Sequence, residues 1–287
     1  MGKGRLGPFG ELGRVIAQGE VGTIPERAAP PSPCNVLVIS GLDPSGGAGF
    51  IADVRVVELL GGRAVGAFTA LTEQDTSGVR AVHPVGAADL AQALTTLMTD
   101  VEIHAVKLGM LATADHAEVI GDVLALTAAP VVWDPILLPS RGQVALYDGD
   151  LRRAVRALAP HVALITPNRA EAGVLGGGAI SDYAGAEAAA ARIGEMGIPA
   201  TLVKGGHFDG DAEDWLFERD RQTRLPGARL ALPPGGVHGT GCALSTAIAC
   251  RLALGDDLRA ACVAAKAFVA TRLASPVRAG GGRASVV

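Results

Sequence analysis

The chain has 287 residues, of which 49% are hydrophobic and 19% charged, so it has enough apolar material for a sizeable core and is not a disordered chain. Its net charge of −4, without basic clusters interleaved with aromatic residues, argues against nucleic acid as a partner. Four cysteines without CxxC spacing, and apolar runs too short to span a membrane, predict a soluble cytoplasmic protein without a disulfide framework.

Two parts of the chain differ in pattern. Residues 1–34 mix glycine, proline and charge without a period, which predicts a flexible N-terminal extension. Residues 35–287 alternate short apolar runs with alanine- and leucine-rich stretches of helical length. This alternation predicts one α/β domain whose mainly parallel sheet is covered by helices on both faces.

The predicted elements follow in chain order. The strands are Val36–Ser40, Val65–Thr69, Ala105–Leu108, Val131–Trp133, Ala163–Thr166 and Ala200–Val203. The helices are Phe50–Leu60, Ala87–Met98, Asp115–Leu126, Asp150–Leu158, Ala184–Met196, Cys242–Leu254 and Leu258–Leu273. A late hairpin is predicted from Asp214–Phe217 and Arg229–Leu232. Because ligands bind beyond the carboxyl ends of parallel strands, the residues that directly follow the strands are the functional candidates.

The segment His238-Gly239-Thr240-Gly241-Cys242 is the strongest local signal. Its two glycines bracket a threonine at the start of a long helix, where backbone N–H groups and the helix dipole favour an anion. A cysteine in the first turn of that helix is expected to have a lowered thiol pKa and to act as a base. The alternative is a glycine-rich helix start with a buried cysteine.

The segment from Ser40 to Gly49 follows the first strand and contains four glycines. It matches neither a Walker A loop nor GxGxxG, so neither of those phosphate-binding mechanisms applies. Its glycines allow close approach to a flat ligand. Asp53, one helical turn further on, is either a ligand for ring or hydroxyl donors or an acid favoured by the helix dipole.

Three further strand ends carry polar residues. Thr166-Pro167-Asn168-Arg169-Ala170-Glu171 suits an oxygen-ligand site for Mg²⁺, and a capping box explains the same spacing. Lys204, which is followed by two glycines, is placed to reach a nucleotide phosphate or is a surface lysine. Asp134 either helps to hold the metal or caps a turn, and Met110 can pack on a ring. The scattered histidines do not have the spacing of a zinc site.

These segments occur in the order of a known family. GLDPSGGAGFIAD, TALTEQDTSGV, VKLGM, VVWDP, LITPNRAE, TLVKGGH, DWLF and HGTGCALSTAIA together resemble the hydroxymethylpyrimidine/phosphomethylpyrimidine kinases of thiamine biosynthesis, within the ribokinase-like superfamily. The resemblance implies a three-layer α/β/α fold that uses ATP and Mg²⁺. The implied reaction phosphorylates 4-amino-5-hydroxymethyl-2-methylpyrimidine and then its monophosphate.

The resemblance also implies roles for single residues. Cys242 is the expected base, with Gly239, Thr240 and Gly241 as the anion hole. The expected pyrimidine pocket consists of Gly41, Ala48, Asp53, Gln74 and Met110. The nucleotide is assigned to Thr166, Asn168 and Lys204, and the metal to Asp134 and Glu171.

Three positions depart from the family pattern. Ile51 stands where the family has glutamine, Arg141 stands near the place of a usual lysine, and Gly236-Val237 replaces an Asn-Thr pair. Two alternatives therefore stay open beside the pyrimidine kinase: a pyridoxal or pyridoxine kinase of the same superfamily, and a catalytically weakened pyrimidine sensor. The alanine-rich helices also permit a homodimer.

Overall fold

The structure, a computed structural model, describes residues 34–137, 144–208 and 210–287. Cys34–Val287 forms one compact unit. The predicted extension, apart from Cys34, and the stretch around Arg141 lie outside the described residues. Among the residues described, no helix is both long and apolar enough to cross a bilayer.

A nine-stranded sheet forms the centre of the described unit. The strands, in chain order, are β1 (Asn35–Leu42), β2 (Arg63–Asp75), β3 (Gly78–Pro84), β4 (Ala105–Leu108), β5 (Ala112–Thr113), β6 (Val131–Trp133), β7 (Tyr147–Asp148), β8 (Val162–Ile165), β9 (Ala200–Val203), β10 (Asp214–Glu218), β11 (Arg221–Leu225), β12 (Val237–His238) and β13 (Ala284–Ser285). The order across the sheet is β11-β10-β9-β8-β6-β4-β1-β2-β3, while β5 pairs with β7 and β12 with β13. The sheet is parallel from β9 to β2, and β3, β10 and β11 add antiparallel pairs at its edges.

Helices cover both faces of this sheet. They are α1 (Gly49–Leu59), α2 (Ala87–Asp100), α3 (Ala114–Leu124), α4 (Leu151–Leu158), α5 (Arg169–Gly176), α6 (Tyr183–Glu195), α7 (Thr240–Ala253) and α8 (Leu258–Leu273). Core residues of α1, α7 and α8 pack on one face, and those of α2 to α6 pack on the other. The three-layer α/β/α architecture that the sequence predicts is confirmed.

Strand β1 shows why the sheet must be covered on both faces. Val36 and Val38 belong to one core cluster, and Leu37 and Ile39, which point to the opposite face, belong to the other. All four side chains are fully buried. A strand with apolar residues on both faces is typical of a parallel sheet between two helical layers.

The late hairpin differs from its prediction. Strand β10 pairs with Arg221–Leu225 and not with Arg229–Leu232, which is not a strand. The true partner strand is highly charged because it lies at the exposed edge of the sheet, where charged side chains remain in water and oppose edge-to-edge aggregation. The apolar pattern therefore pointed to the wrong segment. The edge strand β3 was missed for a similar reason, because its burial is irregular.

Candidate active site

Glycines flank Thr240, the first residue of α7, and the first turn of this helix presents backbone N–H groups. Gly239 is the N-cap residue, with a φ of 79°, and has no side chain to cap the helix. A Cβ on Gly239 would lie 2.0 Å from the backbone oxygen of Gly47, so only glycine permits this approach to the loop after β1. The N–H groups of Thr240 and Gly241 and the helix dipole give this turn the chemistry of an anion site.

Lys204 lies against the same turn. Its Nζ is 2.7 Å from Oδ1 of Asp134, and a Cβ on Gly241 would lie 3.1 Å from that nitrogen. Burial opposes the charge on the lysine, but the carboxylates of Asp134 and Glu171 outweigh burial and hold the pKa of Lys204 above its ordinary value. The ammonium group is therefore charged where an anion would sit on α7.

Glu171 forms a capping box at the start of α5. Oδ1 of Asn168 accepts hydrogen bonds from the backbone N–H groups of Ala170 and Glu171, and the N–H of Asn168 donates to Oε2 of Glu171 at 2.8 Å. The structural alternative raised by the spacing is therefore present. Burial raises the pKa of Glu171 to about 7 despite the nearby charge of Lys204. The carboxyl group of Glu171 thus caps the start of α5 and also interacts with the charge of Lys204.

Asp53 and Lys107 form an ion pair inside the protein. Nζ of Lys107 lies 2.6 Å from Oδ2 of Asp53, and both side chains are fully buried. Ser40 Oγ donates to Oδ2 at 2.8 Å and Thr246 Oγ1 donates to Oδ1 at 2.6 Å. These contacts occupy both carboxylate oxygens. The expected role of Asp53 in the pyrimidine pocket stays a prediction, and both of its oxygens already have partners within the protein.

We refer to five residues as the buried charge cluster: Asp53, Lys107, Asp134, Glu171 and Lys204. Cys242 lies next to this cluster in the first turn of α7. Burial raises the pKa of its thiol to about 12, although Lys107 and Lys204 act to lower it. The expectation of a lowered pKa is therefore wrong, because loss of solvation outweighs the helix dipole and the two lysines.

Asp43 shapes the loop that follows β1, which we call the glycine loop (Gly41–Gly49). Its Oδ1 accepts from the N–H of Ser45 at 2.8 Å, and its Oδ2 accepts from the N–H of Ala48 at 3.1 Å. Burial opposes its charge, yet hydrogen bonds from His238 and Ser45 lower the pKa of Asp43 below its usual value. An ionised carboxylate thus fixes the loop.

Gly41 and Met110 are in direct contact. A Cβ on Gly41 would lie 2.4 Å from Cε of Met110, so the absence of a side chain lets the methionine cover the loop. The backbone oxygen of Met110 accepts a hydrogen bond of 2.6 Å from Thr69 on β2. Met110 is thereby held at the end of β4, beside the glycine loop.

Gln74 and His238 meet across the same side of the site. Nε2 of Gln74 lies 3.3 Å from Nε2 of His238, which is itself 3.4 Å from Oδ2 of Asp43. Gln74 thus connects to the glycine loop, including Ala48, through His238 and Asp43. The sequence analysis assigned no role to His238.

The structure divides the predicted residues into three groups. Contacts and electrostatic interactions join Cys242 with its turn, Lys204, Asp134, Asn168 and Glu171 into one group. Gly41, Ala48, Met110 and Gln74 form a second group around the glycine loop, which Gly239 approaches closely. Asp53 and Thr166 are fully buried, and Thr166 Oγ1 lies 3.4 Å from Oδ1 of Asp134, while the contacts of both residues with ligands stay predictions. Lys107 was missed as a member of the site, although a lysine within the apolar strand Ala105–Leu108 is a signal of a buried acid partner.

The residues present fit a magnesium ion. Mg²⁺ is usually held by one or two carboxylates together with waters and substrate phosphates. Asp134 and Glu171 supply two carboxylates near Lys204, where a phosphate would lie. No group of three or more His, Cys, Asp or Glu in metal-binding arrangement occurs among the described residues, so a site made of protein ligands alone has no support there.

A comparison with protein families identifies the family of this chain. The family model described as phosphomethylpyrimidine kinase matches residues 43–287. The chain belongs to the phosphomethylpyrimidine kinase family. It is 38% identical over 257 residues to the hydroxymethylpyrimidine/phosphomethylpyrimidine kinase of Rhizobium meliloti, which covers 87% of this chain and 95% of the relative.

Other relatives extend the comparison. The thiamine biosynthesis bifunctional protein ThiED of Geobacter sulfurreducens is 37% identical over 93% of this chain, and the chain spans about half (55%) of that longer protein. Among solved structures, the phosphomethylpyrimidine kinase of Clostridium difficile has a TM-score of 0.71 at 28% identity, covering 83% of this chain and 98% of that one. Pyridoxal kinase of Staphylococcus aureus in complex with pyridoxal has a TM-score of 0.80 at 27% identity, with coverages of 90% and 94%.

Proposed function

We propose that the protein transfers a phosphoryl group from ATP to the hydroxymethyl group of 4-amino-5-hydroxymethyl-2-methylpyrimidine, and then to the resulting monophosphate. The observation that carries this proposal is the position of Cys242, on an anion-binding helix start beside Lys107 and Lys204, in a chain of this kinase family. We place the reaction in the cytoplasm, as the cysteine usage suggests.

The phosphoryl group is stabilised by preorganised positive charge. Phosphoryl transfer depends mainly on positioning and on stabilising charge that spreads over the phosphate oxygens. In this chain the ammonium group of Lys204 lies beside Gly241 in the first turn of α7, and this group is proposed to bind the same phosphate as the N–H groups of Thr240 and Gly241. Asn168, at the start of α5, is proposed to contact the nucleotide. Mg²⁺ held by Asp134 and Glu171 would neutralise phosphate charge.

Cys242 is proposed to receive the proton of the attacking hydroxyl group. It can do so only as a thiolate, and the positive charges of Lys107 and Lys204 favour that form while burial opposes it. General acid–base catalysis contributes about 10²–10⁴-fold to a rate, so Cys242→Ala should lower kcat by about that factor and leave the KM values nearly unchanged. A near-normal kcat would leave catalysis to the helix start and Lys204.

The substrate ring is assigned to the opposite side of the site. Gly41, Ala48 and Met110 offer a surface for a flat ring, since Met110 packs on the residue without a side chain. Gln74 offers both a donor and an acceptor, which suits an amino group next to a ring nitrogen. The hydroxymethyl group would then point toward Cys242.

The first experiment is a coupled ADP-release assay with Mg-ATP and three acceptors in parallel: the hydroxymethylpyrimidine, its monophosphate and pyridoxal. Turnover of both pyrimidines with little turnover of pyridoxal supports the proposal. Turnover of pyridoxal alone would replace it with the second candidate, which the TM-score of 0.80 to a pyridoxal kinase favours. Absence of turnover on all three would favour the sensor alternative.

A further inference from the structure

We propose that His238 is a specificity-determining residue, which fixes the amide of Gln74 in one orientation and thereby selects a ring with an amino group beside a ring nitrogen. The inference rests on the proposed function and extends it to a residue outside the predicted site. Four side chains carry it: Asp43, His238 and Gln74, joined by distances of 3.4 Å and 3.3 Å, and Thr72 at the far end of the amide.

One nitrogen of His238 faces two partners with different requirements. Nε2 is near the carboxylate of Asp43 and also near the terminal amide of Gln74. Asp43 is a strong acceptor, because two backbone N–H groups and the histidine hold it in its ionised form. A proton on Nε2 is therefore favoured, and a protonated Nε2 requires an acceptor on Gln74 and not an NH₂ group.

Thr72 constrains the other end of the Gln74 amide, where it requires a hydrogen-bond donor. Its Oγ1 lies 2.9 Å from the backbone oxygen of Leu42 and 3.2 Å from Oε1 of Gln74. A hydroxyl group has a single proton, which the nearer carbonyl of Leu42 takes. Oγ1 can then only accept from Gln74, so the amide must turn its NH₂ group toward Thr72.

A single orientation satisfies both neighbours. The structure has Nε2 of Gln74 toward His238 and Oε1 toward Thr72, and this orientation leaves two unfavourable contacts when Nε2 of the histidine carries the proton. Exchanging the two amide atoms, which have nearly the same shape, turns the oxygen toward His238 and the nitrogen toward Thr72 and pairs Gln74 at both ends. An amide offers two N–H donors and two oxygen lone pairs. Thr72 and His238 each use one of these, which leaves one donor and one acceptor for a ligand. An aminopyrimidine supplies the matching acceptor and donor, and a pyridine ring without an amino group does not.

The backbone of His238 is held independently of its imidazole. Strand β12 (Val237–His238) pairs with β13, and Arg283 donates to the backbone oxygen of Val237 at 3.1 Å. A Cβ on Gly47 would lie 3.0 Å from Cδ2 of His238, so the ring packs against the glycine loop. Replacing the side chain should therefore leave the strand and the anion-binding turn after it in place.

The test compares His238→Leu with His238→Gln. Glutamine places an N–H donor near the position of Nε2, and leucine removes it. Binding of two ligands is measured by calorimetry: the 4-amino-5-hydroxymethylpyrimidine and the same ring without its amino group. We expect the wild type to prefer the amino ligand, His238→Leu to lose about tenfold in affinity for that ligand alone, and His238→Gln to retain most of it.

A double-mutant cycle identifies the route of the effect. In a Gln74→Ala background, His238→Leu should cause little further loss of affinity, because its partner is already absent. Full additivity of the two losses, or an equal loss for both ligands, would overturn the inference. Kinetic constants supply a second readout, in which we expect KM for the amino substrate to rise with kcat nearly unchanged.

The outcomes also separate this inference from the proposed function. A protein that binds the amino ligand with the expected dependence on His238 but does not phosphorylate it would refute the kinase proposal and leave the role of His238 standing. A wild type that phosphorylates both rings equally well would refute the role of His238 and leave the kinase proposal intact. A protein that binds neither ring would refute both.

Discussion

The buried charge cluster and the glycine loop carry the two halves of the proposed site, and they are held by different interactions. The cluster places two lysines and three acids out of water, and its pairs Lys107–Asp53 and Lys204–Asp134 have N···O distances of 2.6 and 2.7 Å. In such surroundings each charge depends on its partner, because an isolated buried charge is very costly.

The glycine loop depends instead on backbone contacts. Gly49 has a φ of 58°, and a Cβ there would lie 2.2 Å from the backbone oxygen of Gly41. Asp43 is the charged residue that ties the loop together, through backbone N–H groups. A loop of this kind tolerates no added bulk, and it leaves the ring of a ligand in contact with neutral groups.

The difference follows from what each side is proposed to bind. A transferring phosphoryl group requires fixed positive charge, which must be stabilised by acids when no substrate is present. A neutral heterocycle requires shape and a few oriented hydrogen bonds. Breaking an ion pair should therefore have the largest effect on the protein, and changes in the loop should have smaller effects that concentrate on recognition of the ring.

The largest expected effect comes from Lys107→Met. This change leaves the carboxylate of Asp53 buried with only Ser40 and Thr246 as donors, so we expect the free energy of unfolding to fall by about 3–5 kcal/mol. Equilibrium denaturation with urea measures this loss. Because Lys107 also favours the thiolate of Cys242, kcat should fall in whatever fraction stays folded.

The control for this prediction is the double variant Lys107→Met with Asp53→Asn. It removes both charges, so a substantial part of the lost stability should return. Stability of the double variant equal to or lower than that of Lys107→Met would show that the ion pair is not the source of the effect.

Gly49→Ala should have the next largest effect. Alanine at this φ costs about 1–2 kcal/mol, and its Cβ would also collide with the backbone of Gly41. We expect the KM for the pyrimidine to rise more than the KM for ATP, since the loop is proposed to bind the ring. The matched control is Gly61→Ala, where φ is 84° but no atom lies within 4 Å of the added Cβ. Equal losses of stability in the two variants would contradict a close approach between Gly49 and the backbone of Gly41.

The comparison also shows what the sequence could predict. The sheet and its helical layers were predicted because β-branched apolar runs such as Val36–Ser40 carry a strong signal of buried parallel strands. The edge strand Arg221–Leu225 could not be found in this way, because its charged side chains lie in solvent and its pairing with β10 is a tertiary contact.

In the site, residues that belong to a local sequence motif were predicted. Side-chain pairs whose members are far apart in the sequence were not. The motif around Cys242 could be recognised in the sequence from its glycines. The pairing of Lys107 with Asp53 joins residues 54 positions apart, and that of Gln74 with His238 joins residues 164 apart. No local sequence pattern reveals such contacts. The sequence therefore predicted a pocket role for Asp53 without its partner Lys107, and no role for His238.

The smallest expected effect is that of Asp43→Asn, and it is also the one that depends on pH. The pKa of Asp43 is lower in the folded protein than its ordinary value of 3.8, so its ionised form stabilises the fold. This stabilisation is fully present above pH 3.8 and is lost as the pH falls through the lower folded pKa. The asparagine also replaces one acceptor of a backbone N–H with a donor, for a cost of about 1–2 kcal/mol at pH 7.

Denaturant titrations between pH 7 and pH 3 measure this difference. The gap in free energy of unfolding between the wild type and Asp43→Asn should narrow toward pH 3, while the exposed Asp122→Asn should show little gap at any pH. A gap that stays constant with pH would mean that the charge of Asp43 does not hold the loop. Because Asp43 also faces His238, the same variant should weaken the preference for an amino ring, and an unchanged preference would separate the loop from the recognition of that ring.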